Sequence, residues 1–256
     1  MSNRMREVWA NGGTALGAWL FLREPLVAEA AALIGYDYVC IDMQHGLQSF
    51  EDAVSMLTAM ARTETTPIVR VPWNEPGIIG RVLDAGAEGV IIPMVNTAEE
   101  ARSAVRACFY GPKGARSMGP VGVSARAGRD GYFANANNTV LCIPMIETKE
   151  AVDNLEEILA VPGIDAVYVG PADLSITYGL SPMSDQTDPV WNAALDRVVE
   201  QCRASGVVPG VHADPTLASK RASSGFTMIT VGFDLANVTS GIRADLKKAR
   251  ESTQPA

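Results

Sequence analysis

The chain has 256 residues, 47% hydrophobic and 20% charged, which is an ordinary globular composition with enough apolar material for one large core. Lys and Arg number 21 against 29 Asp and Glu, a formal charge of −8. With no basic cluster anywhere along the chain, this balance argues against nucleic acid as a partner.

In chain order, short apolar or β-branched runs alternate with stretches of helical period. "TALGAWLFL" (14–22) reads as a strand and 25–33 as a helix; "YDYVCI" (36–41) is followed by a helix over 50–61. "TPIVRV" (66–71) and "EGVIIP" (88–93) are the third and fourth strands, and a helix over 97–107 follows. "TVLCIPMI" (139–146), "DAVYVG" (165–170), "VVPGVH" (207–212) and "TMITVG" (227–232) complete eight strands, separated by helices over 149–159, 189–205 and 215–223 and followed by one over 234–248. Eight such repeats in this length predict a single α/β domain over 1–256, a closed (β/α)8 TIM barrel. A doubly wound sheet is the runner-up, but no glycine fingerprint follows the first strand. The Gly-, Arg- and Asn-rich segment 110–138 reads as a long loop, partly ordered near the barrel or at a subunit interface.

Cys40, Cys108, Cys142 and Cys202 lack paired spacing, and three lie in or beside apolar runs, where a thiol acts as a small hydrophobe. The opening "MSNRMREVWANGG" has no apolar signal core, and no run approaches bilayer length. Both point to the cytoplasm, with no membrane partner.

In a barrel of this kind chemistry sits at the C-terminal ends of strands. There the chain places Asp42, Gln44 and His45 after the second strand, Arg70 after the third, Glu147 after the fifth, Asp173 after the sixth, and His212 and Asp214 after the seventh. Glu147 and Asp173, on adjacent strands, can hold a divalent ion such as Mg2+ or Mn2+ through oxygen alone, or each can cap a helix. Taken singly, the cap is the better reading; taken as a pair, the metal. Arg70 needs a partner at a strand end, either a carboxylate such as Asp42 or Glu147 or a developing enolate oxygen. His45 can act as a general base or simply close a loop; its company favours the base. His212 reads as a rim or structural residue. The backbone of Gly170, Pro171 and Ala172 runs from a strand into a helix start, where amides can hold a carboxylate.

These motifs, "DMQHG", "VRVPWNEP", "LDAGAEGVIIPMVNTAEEA", "YGPKGARS", "MIETKEAVDNL" and "GIDAVYVGPADLS", together resemble the HpcH/HpaI aldolase family from about residue 14 to about residue 245. These are metal-dependent (class II) pyruvate aldolases, including 4-hydroxy-2-oxoheptanedioate aldolase and hydroxypyruvate-type aldolases. The resemblance implies a (β/α)8 barrel, commonly a homohexamer. It also implies reversible cleavage of a 4-hydroxy-2-oxo acid into a pyruvate-type 2-oxo acid and an aldehyde, with a divalent ion (Mg2+, Mn2+ or Co2+). On the same resemblance Glu147 and Asp173 hold the metal, His45 is the base, Arg70 steadies the enolate and Ala172 contacts the substrate. The resemblance also implies that Asp84 raises the basicity of His45; because Asp84 lies at the end of the helix leading into the fourth strand, on the opposite face of its own barrel, its position directs that role to a neighbouring subunit's site.

Two positions depart from the heptanedioate aldolases. Met145 occupies the substrate-pocket position where they carry a glutamine, and Gln44 stands where they carry a glutamate. Hydroxypyruvate thereby becomes as plausible a donor as pyruvate. No lysine stands at a strand end, which counts against a Schiff-base mechanism. The rivals are a citrate lyase β/malyl-CoA type lyase, which needs a coenzyme A site, and a catalytically silent barrel that binds ligands.

Overall fold

Eight parallel strands close into one barrel in the computed structural model, which describes residues 3–253: β1 (Ala15–Leu20), β2 (Tyr38–Asp42), β3 (Thr66–Arg70), β4 (Gly89–Ile92), β5 (Leu141–Ile146), β6 (Ala166–Val169), β7 (Val208–His212) and β8 (Met228–Phe233). Each strand pairs with the next in sequence, and β8 returns to β1. This is the (β/α)8 architecture expected from the alternation of runs.

The strands read as continuous apolar runs because both faces are covered. Val39, Ile41, Val69, Val90 and Val167 point outward, into a core shared with the surrounding helices. Tyr38, Cys40, Ile68, Ile91, Leu141, Ile143 and Tyr168 point inward and fill the barrel. Met5, on the short helix Arg4–Ala10, joins that inner cluster. All four cysteines are free and buried, as small hydrophobes would be. Among the described residues, no helix is long and apolar enough to cross a membrane.

The segment 110–138 corrects the expectation of a long loop: it carries the helices Val121–Ala127 and Arg129–Thr139. Tyr110, Val123, Tyr132 and Ala136 make a small core of their own. Within it the buried Arg116 lies over the Tyr110 ring at 4.6 Å, donates to the Tyr132 hydroxyl at 3.0 Å and pairs with Asp84 at 2.6 Å. Four widely spaced apolar anchors leave no strong helical period, so these helices were not visible in the sequence.

Candidate active site

The period of two along each strand decides which side chains reach the C-terminal rim. On β2 the inward series Tyr38, Cys40 ends in Asp42; on β3 Ile68 is followed by Arg70; on β5 Leu141, Ile143 and Met145 are followed by Glu147. Ala166 and Tyr168 lead to Gly170 on β6, and Val208 leads to His212 on β7. The polar residues singled out in the sequence are thus mostly the next layer of the barrel interior.

A cavity of about 190 Å3 opens above that layer. His45, Arg70, Met145 and the stretch from Gly170 to Asp173 line it, together with Phe21, Ser184 and His212. All six residues assigned to substrate, metal or base from the β2, β3 and β6 ends therefore meet in one place, and Met145 joins them from β5. Asp84 does not. It ends the helix Pro76–Ala85 that leads into the opposite end of β4, where it pairs with Arg116.

Asp42 and Arg70 are lateral neighbours across the β2–β3 ladder. Arg70 donates Nε to Oδ1 at 2.8 Å and a terminal nitrogen to Oδ2 at 2.5 Å, a two-pronged buried ion pair. The Trp19 indole donates to the same carboxylate at 3.1 Å, and its ring lies 4.9 Å from the guanidinium. Burial alone would raise the pKa of Asp42, but Arg70, Trp19 and the Gln44 amide together hold it below the usual carboxylate value. The amides of Gln44 and His45 both donate to Asp42 Oδ1, at 3.0 and 3.3 Å. One aspartate therefore fixes both the guanidinium and the loop that carries His45. At Gly46 a Cβ would collide with the Asp42 carbonyl oxygen and the Gln48 side chain, so only glycine lets this turn close. His45 itself is exposed at the cavity rim.

Neither carboxylate of the candidate metal pair serves as a helix cap. Thr148, not Glu147, caps the helix Lys149–Asp153 by accepting from the Ala151 amide. The helix Pro171–Thr177 has Gly170 at its N-cap and no side-chain cap bond, leaving Asp173 free on its first turn. Glu147 is 2% exposed, just behind the cavity lining. Its Oε1 accepts from the Met94 amide at 2.8 Å, and Met94 holds a left-handed backbone at φ 55° to present that amide. Its Oε2 lies so close to Gly170 that a Cβ there would come within 2.6 Å. Burial pushes the Glu147 pKa up to about 7; the Met94 bond opposes the rise, the charge of Asp173 adds to it, and Arg70 opposes it.

Among the described residues no cluster of three or more His, Cys, Asp or Glu side chains could hold a metal. The pair contributes two carboxylates, which is the donor set of Mg2+-type ions that keep waters and a chelating substrate for their other positions. Two repelling, uncapped carboxylates beside an open cavity fit such a group.

Sequence reasoning missed Trp19 and Phe21 and gave His212 only a rim or structural role. The His212 ring packs edge-on against Trp19 at 4.9 Å, and burial and the nearby Arg70 charge lower its pKa to about 4. The inward alternation of β7 was the available signal.

A profile of the HpcH/HpaI aldolase/citrate lyase family matches residues 15–240. The chain belongs to that family. It is 41% identical over 249 residues to a hydroxypyruvate/pyruvate aldolase from Rhizorhabdus wittichii, covering 97% of this chain and 99% of the relative. It is 36% identical over 249 residues to a 4-hydroxy-2-oxo-heptane-1,7-dioate aldolase from Salmonella arizonae, covering 95% and 93%. The crystal structure of a family member from Burkholderia cenocepacia J2315 superposes with a TM-score of 0.88 at 33% identity, covering 98% of this chain and all of that one. Family and relatives together bear out the reading of the chain as a lyase of the pyruvate-aldolase type.

Proposed function

We propose that the chain is a class II 2-oxo-acid aldolase. It would join pyruvate or hydroxypyruvate to an aldehyde, and cleave the resulting 4-hydroxy-2-oxo acid, at the cavity between His45, Arg70 and Asp173. The observation that carries this reading is the convergence of a base, a pinned guanidinium and two carboxylates that cap no helix, one lining and one just behind a single cavity at the C-terminal end of a barrel.

Glu147 and Asp173 would hold Mg2+, Mn2+ or Co2+, which when bound supplies Lewis-acid polarisation of the 2-oxo acid. The backbone from Gly170 to Ala172 forms the wall against which the donor carboxylate lies. His45 takes a proton from C3 of the donor, and the negative charge that develops on the 2-oxo oxygen faces the Arg70 guanidinium. C3 then bonds to the aldehyde carbon, and the new alkoxide takes up a proton; cleavage reverses these steps. Met145 makes the cavity wall apolar beside Arg70, its sulfur 4.0 Å from the guanidinium. The relative named a hydroxypyruvate/pyruvate aldolase supports keeping both donors.

Asp84 stands at the far end of its own barrel, so a role beside His45 requires a second copy of the chain, as in a homohexamer. This too is part of the proposal.

Exchange of the pyruvate C3 protons in D2O, followed by NMR without aldehyde, tests the reading. Exchange should require a divalent ion and stop with EDTA. Exchange that persists in EDTA would refute the metal, and no exchange from either donor would refute the aldolase assignment of the site.

A further inference from the structure

Beneath the cavity lies a chain of polar groups that the reaction above does not use. Tyr38, Tyr168 and Thr230 are fully buried inside the barrel on β2, β6 and β8. The ladders bring them together: Tyr168 sits beside Gly210, and His212 beside Thr230. The Tyr38 hydroxyl lies 2.8 Å from Thr230 Oγ1, which lies 2.5 Å from the Tyr168 hydroxyl, which in turn lies 3.2 Å from His212 Nδ1.

Hydrogen-bond accounting gives this chain a direction. Burial raises both tyrosine pKa values far above their ordinary range, so three hydroxyl protons are present. Three bonds link the four groups. If Nδ1 donated to Tyr168, four protons would share three close contacts, and the fourth would be left with only the longer approach between the two tyrosine hydroxyls in a dry interior, which is costly. Each hydroxyl proton occupies one close contact when Tyr38 donates to Thr230, Thr230 to Tyr168, and Tyr168 to Nδ1. That arrangement makes His212 a neutral imidazole with its proton on Nε2.

With Nδ1 turned into the barrel, the remaining edge of the ring is available to the cavity. His212 and Phe21 line both this cavity and an adjoining groove of about 500 Å3 bounded by Phe233, Leu235 and Thr239. They mark where the cavity widens, at the ends of β7 and β1 and away from Glu147, which follows β5. A three-carbon donor held by Arg70 and the carboxylate pair leaves this side to the second reactant.

We infer that the Nε2–H of His212 is a preset hydrogen-bond donor to the acceptor, selecting aldehydes that carry a hydroxyl on the carbon next to the carbonyl. Tyr168 is the positioning residue that sets the tautomer. The inference rests on the aldolase reading, and the wild-type exchange of pyruvate protons, measured first, tests that reading separately.

Two measurements test it. The chain has only two histidines, so 15N-labelled histidine gives a spectrum simple enough to assign. His212 should appear as the neutral Nε2–H tautomer at pH 7, and the Nδ1–H tautomer or an imidazolium would overturn the inference. The second is kcat/KM with pyruvate for glycolaldehyde against propanal, in which a methyl replaces the hydroxyl. Wild type should prefer glycolaldehyde by about tenfold or more. His212→Leu should bring the ratio towards one, whereas His212→Gln, which keeps an N–H at similar reach, should retain most of it. Tyr168→Phe should lower the ratio with His212 still present. An unchanged ratio in His212→Leu, an equal loss for both aldehydes, or a change in the hydroxypyruvate-to-pyruvate ratio instead would each overturn the assignment.

Discussion

Replacing Asp42 by Asn removes a charge and almost no volume, so its effect isolates what the carboxylate does. In the wild type Asp42 is fully buried and takes two bonds from Arg70, at 2.8 and 2.5 Å, with Trp19 and two loop amides on the same oxygens. Asn keeps one carbonyl oxygen for these donors and leaves the guanidinium, itself 7% exposed, uncompensated. Breaking a buried pair on one side costs about 3–5 kcal/mol. In a domain of this size that is a fall in Tm of about 10 °C. The freed Arg70 has Glu147 as the next carboxylate within electrostatic reach. Asp42→Asn should therefore weaken divalent-ion binding and slow pyruvate C3 exchange, by about 10–100-fold, as loss of a group that orients ligands does. Thermal unfolding and NMR exchange read the two effects. The decisive control is Asp42→Asn combined with Arg70→Met, which removes the orphaned charge and should unfold at a higher temperature than Asp42→Asn alone. A single variant within 1 kcal/mol of wild type, or a double variant no more stable than the single one, would refute the account.

Three further outcomes follow from the same geometry. Glu147→Gln and Asp173→Asn should each lose Mn2+ binding by calorimetry together with C3 exchange, while His45→Ala should bind Mn2+ and fail only in exchange; an active His45→Ala enzyme would move the base elsewhere. Co-expressed Asp84→Ala and His45→Ala chains, each inactive alone, should recover activity if Asp84 serves a neighbour's site, and no recovery would count against sharing. Glu88 has its pKa raised to about 7 by burial, so the folded state favours its neutral form. Its contribution to stability is full below the ordinary carboxylate pKa and is lost as pH rises through 7. Glu88→Gln should thus raise Tm at pH 8 relative to wild type by about 3–6 °C, for about 1–2 kcal/mol after discounting for solvent, with little gain at pH 4. Parallel pH profiles for the two proteins would contradict this.

The barrel was legible because each strand is an apolar run bounded by helical period, and Pro189–Ser205 was read to the residue. The polar rim was legible because Arg70, Glu147 and Asp173 are residue types a core does not otherwise accept. His212 was harder to place because a histidine at the end of "VVPGVH" looks like a satisfied rim group until its alternation with Val208 is combined with the positions of Tyr168 and Thr230 on other strands. No local pattern carries that information. The same holds for Arg116, whose partner Asp84 lies 32 residues away on another helix and whose ring partners Tyr110 and Tyr132 flank it at no regular spacing.

The carboxylate pair shows what the structure adds to the sequence. Read singly, Glu147 and Asp173 were better explained as helix caps. Thr148 and Gly170 take those places, so the capping explanation no longer accounts for either residue. What remains is a buried glutamate pushed up to about 7, repelled by Asp173 and steadied by an amide whose residue, Met94, sits at φ 55°. A left-handed non-glycine backbone costs on the order of 1–3 kcal/mol, and the desolvated charge costs more. Without a positive ligand, a neutral side chain at 147 would be the more stable choice, and Glu147→Gln should accordingly raise Tm in EDTA while abolishing Mn2+ binding. A variant that loses stability in EDTA would mean that the carboxylate serves the fold and not the metal.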